Sequence, residues 1–338
     1  VYTLAIFALL SILSGVSIVI SDLPAVSGAG ISPLIVALLL GLLCGNTFRP
    51  RLPAECDQSI LFAAKAVLRI AIVLYGFQIT VWQIMDVGLA GLTASLIMVT
   101  STLVGGAYIG SRWFGLDRDL SILNAVGSAV CGAAAVIAAE TVLRSEPHKG
   151  VVAVSTVVVF GTISIFVFPL IYTVGKGHLN TAEFGIYIGS SIHEVAQAVA
   201  VGNAIGAEAA GNSVIVKMTR VILLAPVLVA IGLWARYRLS DSQVQQSRLV
   251  VPWFAFGFII VIGIHSTGMV SDNVVTVFNK IDTFLLTVAM IALGFESNLA
   301  KIKAVGIRPV YHALVMFVWL LIGGYWISAW ASDIFPIP

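Results

Sequence analysis

Charge is scarce in this sequence. Lys, Arg, Asp and Glu make up 10% of its 338 residues, against about 25% in soluble domains. So few charged side chains cannot cover a water-facing surface, which excludes a soluble globular chain. Cysteine is sparser still: Cys44, Cys56 and Cys131 are too few and too scattered for a metal cluster or a disulfide framework. Charge of one sign is lacking too. A formal net charge of +2 gives no basic field and no reason to expect nucleic acid.

What is present is apolar. Hydrophobic residues reach 59% and the mean hydropathy is +1.05, the composition of an all-α polytopic membrane protein. Apolar runs of about 20 residues are spread evenly from Thr3 to Trp330, so residues 1–338 read as a single transmembrane domain with no soluble one. The first run is followed by another span rather than by a cleavage site, so a secretory leader is not expected. The sequence begins at Val1 without a Met, and the expectation is that some N-terminal residues are missing.

Hydropathy with Gly, Pro and charge punctuation predicts eleven spans. They are Thr3–Ile20, Ser32–Cys44, Ile60–Phe77, Val87–Gly110, Leu120–Leu143, Val151–Val174, Ala182–Gly206, Asn212–Trp234, Val250–Ile264, Asp282–Phe295 and Pro309–Trp330. The second and ninth are the shortest, short enough to be tilted, broken or interfacial. With the N-terminus inside, Arg49, Arg51, Lys65, Arg112, Arg118, Lys176, Arg236, Arg238, Arg248, Lys301, Lys303 and Arg308 fall on the cytoplasmic side. Only Arg144, Lys149 and Lys280 fall opposite. That bias predicts an N-terminus in and a C-terminus out.

Two segments repeat without a gap. Leu74–Gly106 aligns with Ala292–Gly324, matching Gly76-Phe77 to Gly294-Phe295, Val87-Gly88 to Val305-Gly306 and Gly105-Gly106 to Gly323-Gly324. In the eleven-span arrangement they cross in opposite directions, the inverted repeat of secondary transporters, whose sites lie near the midplane.

The most informative stretch is Gly185–Gly206, GIYIGSSIHEVAQAVAVGNAIG. It sets His193, Glu194 and Gln197 in otherwise apolar sequence, where an acid at bilayer depth costs roughly 2.5 to 3.5 kcal/mol on insertion scales. The patch Gly189, Ser190 and Ser191 is weakly helical, and an interruption there frees backbone groups that must line a cavity or be buried. Helical spacing from Ser190 puts Ser190, Glu194 and Gln197 on one stripe, with His193 beside Gln197. A shorter echo, NAVGSAVCGAAAV at 124–136, places Asn124, Gly127, Ser128 and Cys131 on one face. Both read as discontinuous helices, although eleven spans make them run in the same direction. The plainer reading of the polar cluster is an interhelical hydrogen-bond contact, and of the small residues ordinary packing. An acid beside an imidazole is a high cost for so little stability, which favours function.

Lys217 and Arg220 lie one turn apart in the eighth span. Either they snorkel to an interface, or they supply positive charge to an anion path or to Glu194. Arg69 is open to the same two readings. Glu140 and Asp282 are expected near span ends, solvated. The run His193-Glu194-Val195-Ala196-Gln197 is a near miss to the HExxH zinc signature, but Gln197 holds the second ligand position and an amide is a poor zinc ligand. No enzyme, metal or cofactor is expected.

GSAVCGAAAV at 127–136, GIYIGSSIHEVAQAVAVG at 185–202, LYGF at 74–77 and the glycine loop before the second span resemble the YeiH-type family of bacterial multispan proteins. Ala129 stands where that family more often has Ser. The resemblance covers essentially the whole chain. It implies the broad group of cation/proton antiporter, bile-acid and auxin-type carriers, with an inverted-repeat fold, two crossing broken helices, the inner membrane as location and sulfate export as activity.

The expectation is a secondary transporter of a small anion, sulfate or a related oxyanion or sulfonate. Its site would comprise Asn124, Gly127, Ser128, Cys131, Gly189, Ser190, Ser191, His193, Gln197, Lys217 and Arg220. Broken-helix N-termini offer N–H donors to oxyanions. Glu194 with His193 would couple transport to protons. Expected partners are the anion, a proton or sodium ion, the bilayer and a second copy in a homodimer. One rival is a sodium or proton antiporter with Glu194 and Gln197 as cation ligands. Another is a membrane sensor or scaffold that transports nothing.

Overall fold

Fifteen α-helices account for nearly all of the described chain, which comprises residues 2–23, 26, 32–49, 52–53, 55–175, 179–239, 253–296 and 306–337 of a computed structural model. In order they are α1 (Tyr2–Ser21), α2 (Pro33–Thr47), α3 (Glu55–Phe62), α4 (Leu68–Tyr75), α5 (Val81–Arg112), α6 (Arg118–Ala129), α7 (Ala133–Leu143), α8 (Pro147–Val174), α9 (Thr181–Ser191), α10 (Val195–Ile205), α11 (Ala207–Ile222), α12 (Leu224–Leu239), α13 (Trp253–Ser266), α14 (Asp272–Glu296) and α15 (Ile307–Ile334). Taking α3–α4, α6–α7, α9–α10 and α11–α12 as interrupted helices leaves eleven helical segments at the eleven predicted places. Seven are long and apolar enough to cross a membrane by themselves. The second and ninth, α2 and α13, are short, as expected. The glycine loop at 27–31, together with Arg51, Lys176, Arg248, Lys301, Lys303 and Val305, lies outside the described residues.

The chain divides into two compact units. Unit 1 comprises Val1–Met85, Val199–Gly211 and Trp253–Ala300, and unit 2 comprises Asp86–Ala198, Asn212–Pro252 and Lys301–Pro338.

Unit 1 packs α14 against α2 through glycine. A Cβ at Gly294 would lie 2.6 Å from the backbone of Gly41 and Leu42, so the two helices touch main chain to main chain. Small residues at such contacts are the usual way helices associate where water supplies no driving force. Phe77, just after α4, stacks on Phe278 of α14 with ring centroids 4.6 Å apart.

Unit 2 shows a turn-back that hydropathy did not. Asp117 caps the N-terminus of α6, its Oδ2 accepting the Asp119 N–H at 3.1 Å. The same oxygen lies 2.8 Å from Nζ of Lys149, in the first turn of α8. Further along, the Thr156 hydroxyl of α8 donates to Oδ1 of Asn124 in α6 at 3.2 Å. Helices α6 and α8 therefore start together and run in the same direction, so α7 must bring the chain back.

The same reasoning holds for α9 and α10. Asn180 and Glu183 form a capping box at the start of α9. Asn212 of α11 donates to the Ala182 carbonyl at 3.2 Å, and a Cβ at Gly189 would lie 2.7 Å from Cβ of Val216. Helices α9 and α11 thus also run in the same direction, and α10 returns the chain between them. The start of α9 lies by the end of α8, where the hydroxyls of Tyr172 and Thr181 are 3.2 Å apart. At 28 residues and about 1.5 Å per residue, α8 separates the two entry points by roughly 40 Å. The two interrupted segments therefore enter unit 2 from opposite ends, which removes the difficulty that they seemed to run in one direction.

This corrects the placement of Arg144 and Lys149. The ion pair to Asp117 puts Lys149, and Arg144 just before it, at the same end of unit 2 as Arg118. The repeated segments keep their inverse relation. Met316 of α15 lies by Gly106 of α5, and His312 by Gly110, so the two helices are antiparallel. The paired glycines Gly88 and Gly306 both adopt positive φ, 26° and 81°, the first at a kink inside α5 and the second as the residue that precedes α15.

Candidate functional site

The two interruptions of unit 2 meet. The first covers Val130–Gly132, and Gly132 takes φ 75°, a conformation that favours glycine, at the start of α7. The second covers Ile192–Glu194, where Ile192 is extended. It falls later than the Gly189–Ser191 patch expected to break. Helix α9 continues through those serines, and the Ser190 hydroxyl is satisfied within it by the Tyr187 carbonyl at 3.1 Å. The predicted stripe of Ser190, Glu194 and Gln197 is therefore cut in two.

An α-helix ends with carbonyls that have no internal partner. Here the orphan carbonyls of α6 and α9 are gathered by one basic pair on α11. The Arg220 guanidinium donates from Nε to the Ala129 carbonyl (3.0 Å), from Nη1 to Gly189 and Ile192 (3.2 and 3.1 Å), and from Nη2 to Ser128 (3.0 Å) and Ala129. That uses all five of its N–H groups. Lys217 Nζ donates to the Val130 carbonyl at 2.9 Å and to Ile192, leaving its third donor without a described partner. Both side chains are 0% exposed, so neither snorkels. Positive groups at helix C-termini also match the helix dipole.

Glu194 faces the opposite kind of helix end. It immediately precedes α10, and a Cβ at Gly132 would lie 2.6 Å from its Cγ. Its carboxyl group is thus held where α7 and α10 begin. The Glu194 N–H donates to Oε1 of Gln197 at 3.1 Å. His193 turns elsewhere: its ring lies 6.2 Å from that of Phe317, it is buried, and its Nδ1 has no partner among the described residues.

Not every predicted residue reaches the junction. Asn124 is engaged away from it, with Thr156 and with Nδ1 of His312 at 3.4 Å. Gly127 is a packing contact, crowded by Val136 and Val157. Ser128 and Gly189 contribute carbonyls to Arg220, Cys131 lies buried within the first interruption, and Ser190 and Ser191 form a hydroxyl cluster with Ser328. Arg69 stands over the Phe254 ring in unit 1 at 5.9 Å.

Sequence reasoning also missed a second polar centre. Asp282 was expected to be solvated at a span end, but α14 begins ten residues earlier and buries it completely. Gln78 donates to its Oδ2 at 2.8 Å, while Oδ1 has no partner among the described residues. Beside it, in unit 1, is a cavity of about 310 Å³ whose lining includes Asp22, Ser32, Tyr75, Gln78, Asn203 and Thr283. The only advance signal was the LYGF motif that carries Tyr75.

Comparison of the sequence with known proteins identifies the family. The family model described as "Conserved hypothetical protein 698" matches residues 5–313. The chain belongs to that family. It is 43% identical over 317 residues to the UPF0324 inner membrane protein YeiH of Escherichia coli K12, covering 94% of this chain and 91% of the relative. It is 45% identical over 315 residues to a UPF0324 membrane protein of Bordetella bronchiseptica, covering 93% and 98%. A similar solved structure, the sodium proton antiporter MjNhaP1 of Methanocaldococcus jannaschii, shares 15% identity across 99% of this chain and 98% of that one at a TM-score of 0.32. The UPF0324 family is thus the one the motifs resembled, and the chain is a polytopic membrane protein.

Proposed function

We propose that this UPF0324 protein is a proton-coupled secondary transporter of a small anion in the bacterial inner membrane, with its N-terminus cytoplasmic and its C-terminus outside. It performs transport rather than catalysis. The observation that carries the reading is the balance of buried groups at the junction, two basic side chains against one acid. The beginnings of α7 and α10, which favour negative charge, point at the same place.

In this mechanism Glu194 and the substrate compete. The glutamate side chain holds the helix starts when the site is empty. An arriving oxyanion takes those donors together with the remaining N–H of Lys217, and Glu194 leaves its position carrying a proton. Anion and proton are thereby coupled without a second acid. Sulfate or a related oxyanion or sulfonate is the substrate class that helix-start N–H groups beside an ammonium would suit. The rival is a cation antiporter built on Glu194. It draws support from Arg220, whose five N–H groups are already committed to carbonyls and offer an anion nothing.

The test is labelled sulfate flux in proteoliposomes under an imposed pH gradient, with wild type and Glu194→Gln. Gradient-driven flux that loses its pH dependence in the variant supports the anion carrier. No sulfate movement, with sodium-dependent proton flux abolished by the same substitution, establishes the rival.

A further inference from the structure

The unit 1 cavity has the opposite chemistry from the junction in unit 2. No Lys, Arg or His is among its lining residues, which supply the Asp22 carboxylate, the hydroxyls of Ser21, Ser32, Tyr75 and Thr283, and the amides of Gln78 and Asn203. Every polar side chain there can present oxygen. Segments converge on it from the end of α1, the start of α2, the end of α4 and the end of α10, with Thr283 and Leu286 of α14 forming the remaining wall. Within that wall the Asn203 side chain donates to the Val199 carbonyl at 2.8 Å.

Asp282 is not among the lining residues but adjoins two of them, Gln78 and Thr283. Its only described hydrogen bond is the one from Gln78, itself a lining residue, and Thr283, its neighbour in the chain, also lines the cavity. A carboxylate removed from water costs several kcal/mol unless a counter-charge or a proton compensates it. Among the described residues no basic side chain is within ion-pair distance of it. An oxygen-lined cavity next to a buried, half-satisfied acid matches the oxygen-ligand preference of a hard cation, and a single carboxylate balances a single positive charge.

We propose that this cavity is a binding site for a small alkali cation, sodium in the first instance, with Asp282 supplying the charge and Gln78, Thr283 and Tyr75 the neutral oxygens. The cavity is larger than a bare ion, so the ion enters with part of its water shell. The site is separate from the anion junction and stands whether or not that reading holds. If both hold, the protein carries one site for each sign of charge.

The experiment is equilibrium binding of radiolabelled sodium to the full-length protein in detergent, by scintillation proximity, in choline buffer. Wild type is expected to show saturable binding, Asp282→Asn at least a 10-fold loss of affinity, and Gln78→Leu and Thr283→Val smaller losses of 3-fold or more. Absence of saturable binding to wild type overturns the proposal, because Asp282 is then compensated by a proton. Equal binding by wild type and Asp282→Asn overturns it too. Should Asp282→Asn not give a monodisperse protein, the two neutral variants decide, and unchanged affinity in both rejects the site. Sulfate flux is not part of the readout, so failure here leaves the anion reading untouched, and failure there leaves this one.

Discussion

The two buried charge centres of this molecule are solved in opposite ways. In unit 2, Arg220 is fully enclosed and every one of its donors ends on a backbone carbonyl. In unit 1, Asp282 is just as enclosed, yet one of its oxygens has no described partner. A saturated charge holds structure together, because removing it strands its partners. An unsaturated one leaves room for something to arrive.

That contrast is open to measurement, beginning where the effect is largest. Arg220→Met should strand the carbonyls of Ser128, Ala129 and Gly189 and cost about 3–5 kcal/mol, seen as loss of monodisperse protein or a large fall in Tm. Arg220→Lys should recover only part, since an ammonium cannot reproduce the planar fork. A mild phenotype for Arg220→Met would break the comparison at its strong end.

Asp117 is an intermediate case, half exposed at the rim of unit 2. Asp117→Ala removes a helix cap and should cost about 1 kcal/mol at neutral pH, with the ion pair to Lys149 adding little because water screens it. The hydrogen bond from Lys149 holds the Asp117 carboxyl below its usual 3.8. A lowered carboxylate stabilises the fold above its unfolded value and loses that contribution as pH falls through the folded one. The wild-type advantage over Asp117→Ala should therefore narrow below about pH 4, which thermal melts of both proteins at pH 3 and pH 7 would reveal.

The smallest effect is expected at Asp282. In sodium-free buffer Asp282→Asn should change stability by less than about 1 kcal/mol, or raise it, because an uncompensated buried charge is exchanged for a neutral isostere. A loss as large as that of Arg220→Met would show that Asp282 is a structural strut and erase the contrast.

Much of this was legible in the sequence for a physical reason: apolar runs, glycine breaks and buried polar residues are local signals. The eleven helical segments, the two interruptions and the pairing of Gly88 with Gly306 all follow from them. What local signals do not carry is direction. Leu120–Leu143 has the length and hydropathy of a crossing helix, and only the proximity of Lys149 to Asp117 reveals that it turns back. Asp282 was misplaced for a related reason. The first turns of α14, with Asp272, Asn273, Asn279 and Lys280, are polar enough to look like loop, so the acid was assigned to an edge that lies ten residues earlier. At the junction, Lys217 and Arg220 were recognised as unusual, but their acceptors are main-chain oxygens, which no side-chain pattern encodes.

The grip of Arg220 bears on how the molecule can move. Its two sets of acceptors belong to segments that arrive from opposite faces, and both are fastened to a single turn of α11. That turn acts as a yoke: shifting it drags both hairpin ends in the same sense, and neither can swing aside while the other stays. Under the transport reading proposed above, a bound substrate would move together with both hairpin ends.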